Sequence, residues 1–459
     1  MVINLLNLTL EEILSAVEGK LIFESSSKLQ ISGVSTDTRT ICKDSLFLAI
    51  KGENHNANLF VEDALKRDAS VCIIDEVYDN INYLYNKNVI KVDNTREALL
   101  KLAAYYRKKL NIKVVGVTGS TGKTSTKDII AAILSSKFKV YKTKGNYNNE
   151  IGMPLTILNM QEGIDIAVLE MGMSNLNEIH KLAEVSLPDL AVITNIGITH
   201  IENLKTRENI FKAKMEITDF FKASNVLIVN GDDDLLKTIE IRPYKVVKTG
   251  ITSQNNIIGR NVNNLENGMK FNVIVNGKED EFVIPLIGKH NVQNTLLAIA
   301  VGNSLGLDIE DMQRGISNLE STSMRLEIIE KNGVVIINDC YNASPTSMKA
   351  AIDVQKSLKS QRKIAVLGTM KELGDYSNTS HIEIGKYAKE NKIDMLITLG
   401  EYSSFYKEGY GEDILICNSI EDIIEDINNI VKPQDSILIK ASRSEKFERI
   451  VNGLLEQLN

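Results

Sequence analysis

The chain contains no tryptophan and only four cysteines in 459 residues. Cys42, Cys72, Cys340 and Cys417 are scattered, with no paired spacing. That excludes a disulfide framework and a cysteine zinc site, and it fits a reducing cytoplasm. A basic excess is also missing. Lys and Arg total 53 against 60 Asp and Glu, for a net charge of −7. Binders of nucleic acid or of anionic membranes need a basic footprint, so neither partner is expected, although a local basic pocket for phosphates stays compatible. No apolar run approaches the roughly 18 residues of a membrane span, so membrane insertion is not expected. The opening MVINLLNLTLEEILSAVEGK puts no basic residue ahead of its apolar ones, so no secretory leader is expected. Low-complexity tracts and fixed-period repeats are absent as well.

What remains is an ordinary globular composition, 43% hydrophobic and 25% charged, long enough for about three domains. Strand-like apolar runs alternate with helix-like stretches. KVVGV precedes KDIIAAILSS, IDIAVLE precedes NEIHKLAEV, and LAVITNI precedes RENIFKAKMEITDFF; VLIVN, KIAVLG, DMLITLG and SILIK follow. Runs buried on both faces and joined by helices predict parallel sheets in an α/β protein. A first boundary is expected near Leu110, where REALLKLAAYYRKKL gives way to IKVVGVTGS. A second is expected between Ser317 and Thr322, giving units 1–110, 111–318 and 319–459. Asn276-Gly277 between FNVIV and EFVIP predicts a hairpin, so the middle sheet is expected to be mixed, though mostly parallel.

The strongest motif is GVTGSTGKTSTK, Gly116 to Lys127, with a strand leading in and a helix leading out. Gly119 and Gly122 let the backbone turn tightly and aim N–H groups at phosphate oxygens, helped by the helix N-terminus. Lys123 supplies a mobile charge for the terminal phosphates, and the Thr124 hydroxyl can ligate Mg²⁺. The loop is a GxxGKT variant, because Val117 stands where the strict form has its first glycine. Asn391-Lys392-Ile393-Asp394 matches a guanine-reading pattern, but it follows a helix and precedes a strand, so it reads as a turn.

Ligands of open α/β sheets bind beyond the carboxyl ends of the strands. Glu170 ends IDIAVLE and His200 closes LAVITNIGITH, so both are directed toward the phosphate-loop crevice. Each alone also fits a bland role, a capping carboxylate or an incidental histidine. Ile210, Lys214, Ile217 and Phe221 fall on one helical face, whereas Lys212 falls on the polar one. A lysine on an apolar face either snorkels or, with its pKa lowered by desolvation, does chemistry.

Together these residues resemble the Mur ligase family of ATP-dependent amide-bond synthetases. The supporting strings are VSTDTRTICKDSLFLAIKG, VTGSTGKTSTK, GNYNNEIGMPLTIL, EMGM, TNIGITHIEN, KAKMEI, GKHNVQNTLLAIA, NDCYNASPTSMKAA, LGTMKELG and IKASRS, which span nearly the whole chain. The resemblance implies a first domain for a uridine nucleotide, a P-loop ATPase domain, and a Rossmann-like C-terminal domain that closes over the site. It implies that Gly119, Ser120, Thr121, Gly122, Lys123, Thr124 and Ser125 hold the phosphates of ATP, with Asn291 and Asn294 at the adenine, Asp339 at the ribose and Arg325 at the γ-phosphate. Thr124 and Glu170 would hold one Mg²⁺. Glu170, His200 and a carbamylated Lys214 would hold a second. Ser35, Asp37 and Arg39 would help to seat the uridine nucleotide, and Asn148, Asn149 and Asn342 would meet the other substrates.

The YNASP, LGTMKELG and GNYNNEIG runs point within the family to addition of D-alanyl-D-alanine to a UDP-N-acetylmuramoyl tripeptide; a monomer in the cytoplasm is expected, though no motif speaks to the oligomeric state. Three departures stand out: Thr369 in place of a usual acid, Asn177 in place of a common glycine, and Leu204-Lys205-Thr206 without the usual Gly-Ser. A folylpolyglutamate-synthase-like ligase and a scaffold with a dead ATPase core are the competing readings. The first should lack YNASP and GNYNNEIG; the intact Lys123, Thr124, Glu170, His200 and Lys214 oppose the second.

Overall fold

The computed structural model describes residues 7–25, 29, 31–52, 55–77, 87–252, 254–320 and 323–458. Ser321 and Thr322, in the expected second boundary, lie outside the described residues. Three sheets follow one another along the chain, of five, nine and six strands. In the first, Lys20–Phe23 runs antiparallel to Asn88–Lys91; Val71–Ile74, Ser45–Leu48 and Gly33–Ser35 continue it in parallel. The helix Thr95–Leu110 leads out, capped by the Asn94 side chain, and ends where Asn111 turns left-handed at φ 49°.

The nine-stranded sheet is parallel from Val140–Lys142 through Ile166–Glu170, Lys113–Thr118, Leu190–Ile193, Val226–Asn230 and Lys245–Gly250 to Ile257–Leu265. Gly268–Val275 and Lys278–Ile284 then add antiparallel edges. Val275 pairs with Lys278, so Asn276-Gly277 is the two-residue turn expected, with φ of 52° and 79°. The six-stranded sheet runs Glu327–Lys331, Val334–Asn338, Asp435–Lys440, Arg362–Leu367, Met395–Leu399 and Ile414–Cys417. Only its first pair is antiparallel. Asn391 to Asp394 is the turn between helix Ser377–Glu390 and the strand Met395–Leu399.

One apolar cluster joins the first unit to the middle one. It runs without a break from Leu8, Leu46 and Leu99 to Met153, Ile193, Ile210 and Ile239. The opposite face of the nine-stranded sheet is covered by helices Lys123–Ser135 and Lys289–Ser304, through residues such as Ile130, Leu134, Val292 and Leu296. The last sheet buries its two faces in clusters drawn from its own residues, Val334 to Leu454 and Ile337 to Leu438.

Two departures from the family pattern have local causes. Asn177 adopts φ 66°, a left-handed conformation that asparagine tolerates better than most side chains. Thr206 caps helix Arg207–Met215, its hydroxyl accepting the Asn209 N–H at 3.1 Å. Lys205 bears the strain of that turn. It sits at φ 68° and ψ −35°, inside a γ-turn closed by Thr206 N–H to Leu204 O at 2.8 Å.

Candidate active site

The carboxyl ends of strands Lys113–Thr118, Ile166–Glu170 and Leu190–Ile193 open on a cavity of about 600 Å³. Its wall is composite. The middle unit supplies Ser120 to Ser125, Asn148, Asn149, Glu170, His200, Asn291 and Asn294. The last unit supplies Arg325, Asp339, Tyr341, Asn342, Glu372 and Lys440.

The phosphate loop is shaped by its glycines. Gly119 has φ 149°, and a Cβ there would lie 1.8 Å from Thr194 Oγ1. Gly122 has φ 78°, and its Cβ would come within 2.8 Å of Asn294 Oδ1. Thr194 Oγ1 donates to Thr121 O at 2.5 Å, and Thr121 N–H donates to Asn195 Oδ1 at 3.0 Å, so the neighbouring strand end fixes the loop. Lys123 is the first residue of the helix rather than a loop residue. It is half-buried, and its Nζ donates to Gly119 O at 2.8 Å. Burial pulls its pKa down, partly offset by Glu170.

Glu170 is 3% exposed and carries its carboxylate on two neutral donors. Thr124 Oγ1 donates at 2.7 Å and Asn148 Nδ2 at 2.8 Å. The Thr143 hydroxyl takes the Glu170 N–H at 3.0 Å, which fixes the residue's backbone. Among the described residues, no cluster of three or more His, Cys, Asp and Glu could hold a metal. The donor set is a buried carboxylate, a threonine hydroxyl and whatever phosphate oxygens arrive. That hard-oxygen set fits Mg²⁺, which takes few protein ligands.

His200 stands at φ 64° at the start of a short helix. Its Nδ1 lies 2.7 Å from Glu372 Oε2, an ion-pair distance without the alignment of a good hydrogen bond. The His200 contact, reinforced by Lys123, lowers the Glu372 pKa against the opposing effect of burial. Lys214 is 2% exposed and does not line the cavity. Desolvation, and then the Lys123 charge, hold its pKa well below 10.5. Lys212, two residues earlier, is exposed. Ile210 shares the buried face of helix Arg207–Met215 with Lys214, but the helix stops short of the rest of the expected stripe: Ile217 is buried in the 3-10 turn Glu216–Thr218, and Phe221 beyond it is half-buried.

The last unit's side chains are equally specific. The Arg325 guanidinium stacks 4.0 Å above the Tyr341 ring, and its buried Nε has no partner in the described structure. The Asp339 carboxylate pairs with Lys440 Nζ at 2.5 Å, and Lys440 also donates to Asn342 O at 2.8 Å. Asn342 Oδ1 accepts the Ala343 N–H at 2.8 Å. Asn291 Nδ2 donates to Ile287 O at 2.9 Å, and Asn294 Nδ2 donates to Asn291 Oδ1 at 3.3 Å. Asn149 Oδ1 accepts the Gly152 N–H at 2.8 Å and the Ile151 N–H at 3.2 Å, in the turn that leads into helix Gly152–Leu158.

Ser35, Asp37 and Arg39 are not brought to this cavity. They form a turn of their own. Asp37 N–H donates to Ser35 Oγ at 3.0 Å, and Arg39 pairs with Asp37 at 2.6 Å, which draws the Asp37 pKa down to about 2. Thr369 is 2% exposed and also stays off the cavity wall, so an uncharged side chain suits its place.

Comparison with known proteins gives a consistent picture. Residues 117–302 match the Mur ligase middle domain, and residues 324–443 match the Mur ligase glutamate ligase domain. The chain is 43% identical to a UDP-N-acetylmuramoyl-tripeptide–D-alanyl-D-alanine ligase of Bacillus subtilis, over 98% of each chain. Its fold is similar to that of MurF from Acinetobacter baumannii, with a TM-score of 0.90, 30% identity and 98% of each chain covered. It is also similar to MurF ligase from Thermotoga maritima in complex with ADP, with a TM-score of 0.83, 29% identity, and 93% and 97% coverage.

Proposed function

The chain belongs to the Mur ligase family, and from that membership we infer an ATP-dependent ligase that joins D-alanyl-D-alanine to UDP-N-acetylmuramoyl-tripeptide. This is the last cytoplasmic step in making the peptidoglycan precursor. The observation that carries the reading is the composite cavity, where a phosphate loop and the last unit's Arg325, Asp339 and Glu372 share one wall. The residues there suit a reaction that water opposes.

The tripeptide carboxylate attacks the γ-phosphate of ATP, the bond from the γ-phosphorus to the β,γ-bridging oxygen breaks, and an acyl phosphate forms as ADP leaves. The amine of D-alanyl-D-alanine then adds to the acyl carbon, and phosphate leaves from a tetrahedral intermediate. Two anions must meet in the first step. The N–H groups of Ser120 to Ser125, the Lys123 ammonium and the Arg325 guanidinium offset that charge. Asp339 takes the ribose, and Asn291 and Asn294 border the adenine. Asn148, Asn149 and Asn342 face the muramyl peptide and the dipeptide. The last unit's wall excludes water from the acyl phosphate.

Mg²⁺, when bound, would supply further charge neutralisation at the phosphates. Thr124 and Glu170 would hold one ion, and Glu170, His200 and Lys214 a second. A bare ammonium at Lys214 would repel a cation. A carbamate formed from its neutral amine and CO₂ would offer oxygen instead. Burial of Lys214 on the apolar face supports that reading. We assign residues 1–110 to the uridine nucleotide, with Ser35, Asp37 and Arg39 as contacts, 111–318 to ATP, and 319–459 to closure. We further infer a monomer acting in the cytoplasm; no described helix is long and apolar enough to cross a membrane.

The test is phosphate release from ATP with UDP-N-acetylmuramoyl-tripeptides carrying diaminopimelate or lysine. Release should depend on D-alanyl-D-alanine. Release that instead depends on glutamate and a folate would move the chain to another ligase, and no release with any pair would leave a scaffold.

A further inference from the structure

A fully buried histidine away from the cavity wall has both ring nitrogens committed to backbone. His381 lies in helix Ser377–Glu390 and is 0% exposed. Its Nδ1–H donates to Ser377 O at 2.6 Å, and its Nε2 accepts the Met370 N–H at 3.0 Å. Those two bonds require the neutral ring protonated at Nδ1. Burial favours that form, pushing the pKa down to about 4. Tyr402 stacks on the ring at 4.3 Å and 9°, and Tyr406 meets it edge-on at 85°.

The segment held this way is the LGTMKELG run. Tyr406 Oη donates to Gly368 O at 2.9 Å. Ser442 N–H donates to Thr369 O at 3.1 Å, and Ser442 Oγ accepts the Lys371 N–H at 2.9 Å. Four successive residues thus have their backbone fixed by buried groups. The next residue, Glu372, crosses to the middle unit. Its carboxylate faces His200, and its carbonyl accepts the Glu202 N–H at 3.3 Å.

We propose that His381 is a positioning residue for the ligase reaction, fixing through the Met370 amide the place where Glu372 meets His200 across the cavity. The inference rests on the ligase reading above. A loop freed at Met370 would place Glu372 correctly in only a fraction of molecules, and turnover would fall by that fraction. ATP held by Ser120 to Ser125 would bind as before.

His381→Phe keeps the stacked ring and removes both the acceptor for the Met370 N–H and the donor to Ser377 O. With all substrates saturating, kcat for phosphate release should fall roughly tenfold, because a buried N–H is left unpaired. The KM for ATP should stay within about twofold. His381→Gln, whose Oε1 can accept from Met370, should recover most of the loss. A cycle with Glu372→Gln should be non-additive, since both changes act through one contact. Tyr410→Phe, which removes a buried bond to Ile393 O in the same helical layer, should leave kcat unchanged. In the unaltered protein, the Met370 and Lys371 amides should exchange slowly with solvent hydrogen even without substrates.

An unchanged kcat in His381→Phe overturns the proposal. So do additive losses with Glu372→Gln, a folded but inactive His381→Gln, or fast exchange at Met370 where the variants do not fold. Failure of the unaltered enzyme to release phosphate with D-alanyl-D-alanine would instead sink the ligase reading.

Discussion

Lys440→Met tests whether the Asp339–Lys440 pair holds the last unit's cavity wall together. Lys440 is 2% exposed, and its ammonium serves the Asp339 carboxylate and Asn342 O. Methionine fills the space but leaves the carboxylate without its cation. Breaking one side of a buried pair costs about 3–5 kcal/mol. The low end, about 3 kcal/mol, is expected here, because Asp339 borders the cavity and water reaches it. Asp339 Oδ1 also accepts the Leu326 N–H at 3.2 Å, so the backbone beside Arg325 loosens as well. Urea unfolding followed by circular dichroism is the assay, since the chain has no tryptophan to report by fluorescence. The midpoint should drop with an unchanged denaturant slope. Adding Asp339→Asn should restore at least half the loss, because the unpaired charge is then gone. A loss below about 1 kcal/mol in Lys440→Met, or no recovery in the double variant, would refute the reasoning.

Lys214→Met should abolish phosphate release yet raise the stability of the protein in CO₂-free buffer by at least about 1 kcal/mol, because a buried amine that folding holds away from its charged form is replaced by an apolar chain. The folded pKa of Lys214 lies below the 10.5 of the unfolded chain, so unfolding takes up a proton between those values. The gain in the methionine variant should therefore shrink as pH rises toward 10.5, as a denaturation series would show. Lys212→Ala, on the exposed face, should match the parent in the phosphate-release assay. Arg325→Ala should lower kcat about a hundredfold or more while ATP binding, read by calorimetry, changes little, since its charge counts most as the phosphoryl group transfers. Lys205→Gly should raise the unfolding free energy by about 0.5–1 kcal/mol by relieving the γ-turn, and a loss instead would mean that Lys205 makes contacts worth more than its strain.

The phosphate loop was legible because its chemistry dictates local spacing: a glycine at φ 78° followed at once by Lys123 and Thr124. The Asn276-Gly277 hairpin and the contrast between Lys212 and Lys214 were legible for the same reason, since turn type and helical period are local properties. Glu372, Lys440 and Tyr341 were not singled out. Lys440 gains its role from sheet order, which brings Asp435–Lys440 beside Val334–Asn338 across most of the last unit; Tyr341 gains its role by stacking on Arg325, and Glu372 by meeting His200 of the middle unit. A weaker signal did exist for Lys440, which ends the apolar run SILIK just as Glu170 ends IDIAVLE. His381 gave no signal, because a lone histidine in a helix shows no partner until the loop before it is folded. The Ser35, Asp37 and Arg39 string reads plainly, yet its side chains bond to one another away from the cavity.

The unbroken apolar cluster from Leu8 to Ile239 constrains how the chain can be made. Synthesis delivers the first sheet and helix Thr95–Leu110 well before the strands that complete their packing. About 130 further residues must leave the ribosome, which at roughly 5–20 residues per second takes about 6–26 s. Through that interval the nascent first unit presents an uncovered apolar face, and holdase chaperones have their window there. Stalling within that stretch should cost soluble yield more than stalling in the last unit, whose two clusters take all their buried residues from that unit, with half-buried Ile198 of the middle unit packed against one of them. For the same reason, a fragment ending at Leu110 would be a poor vehicle for measuring nucleotide binding.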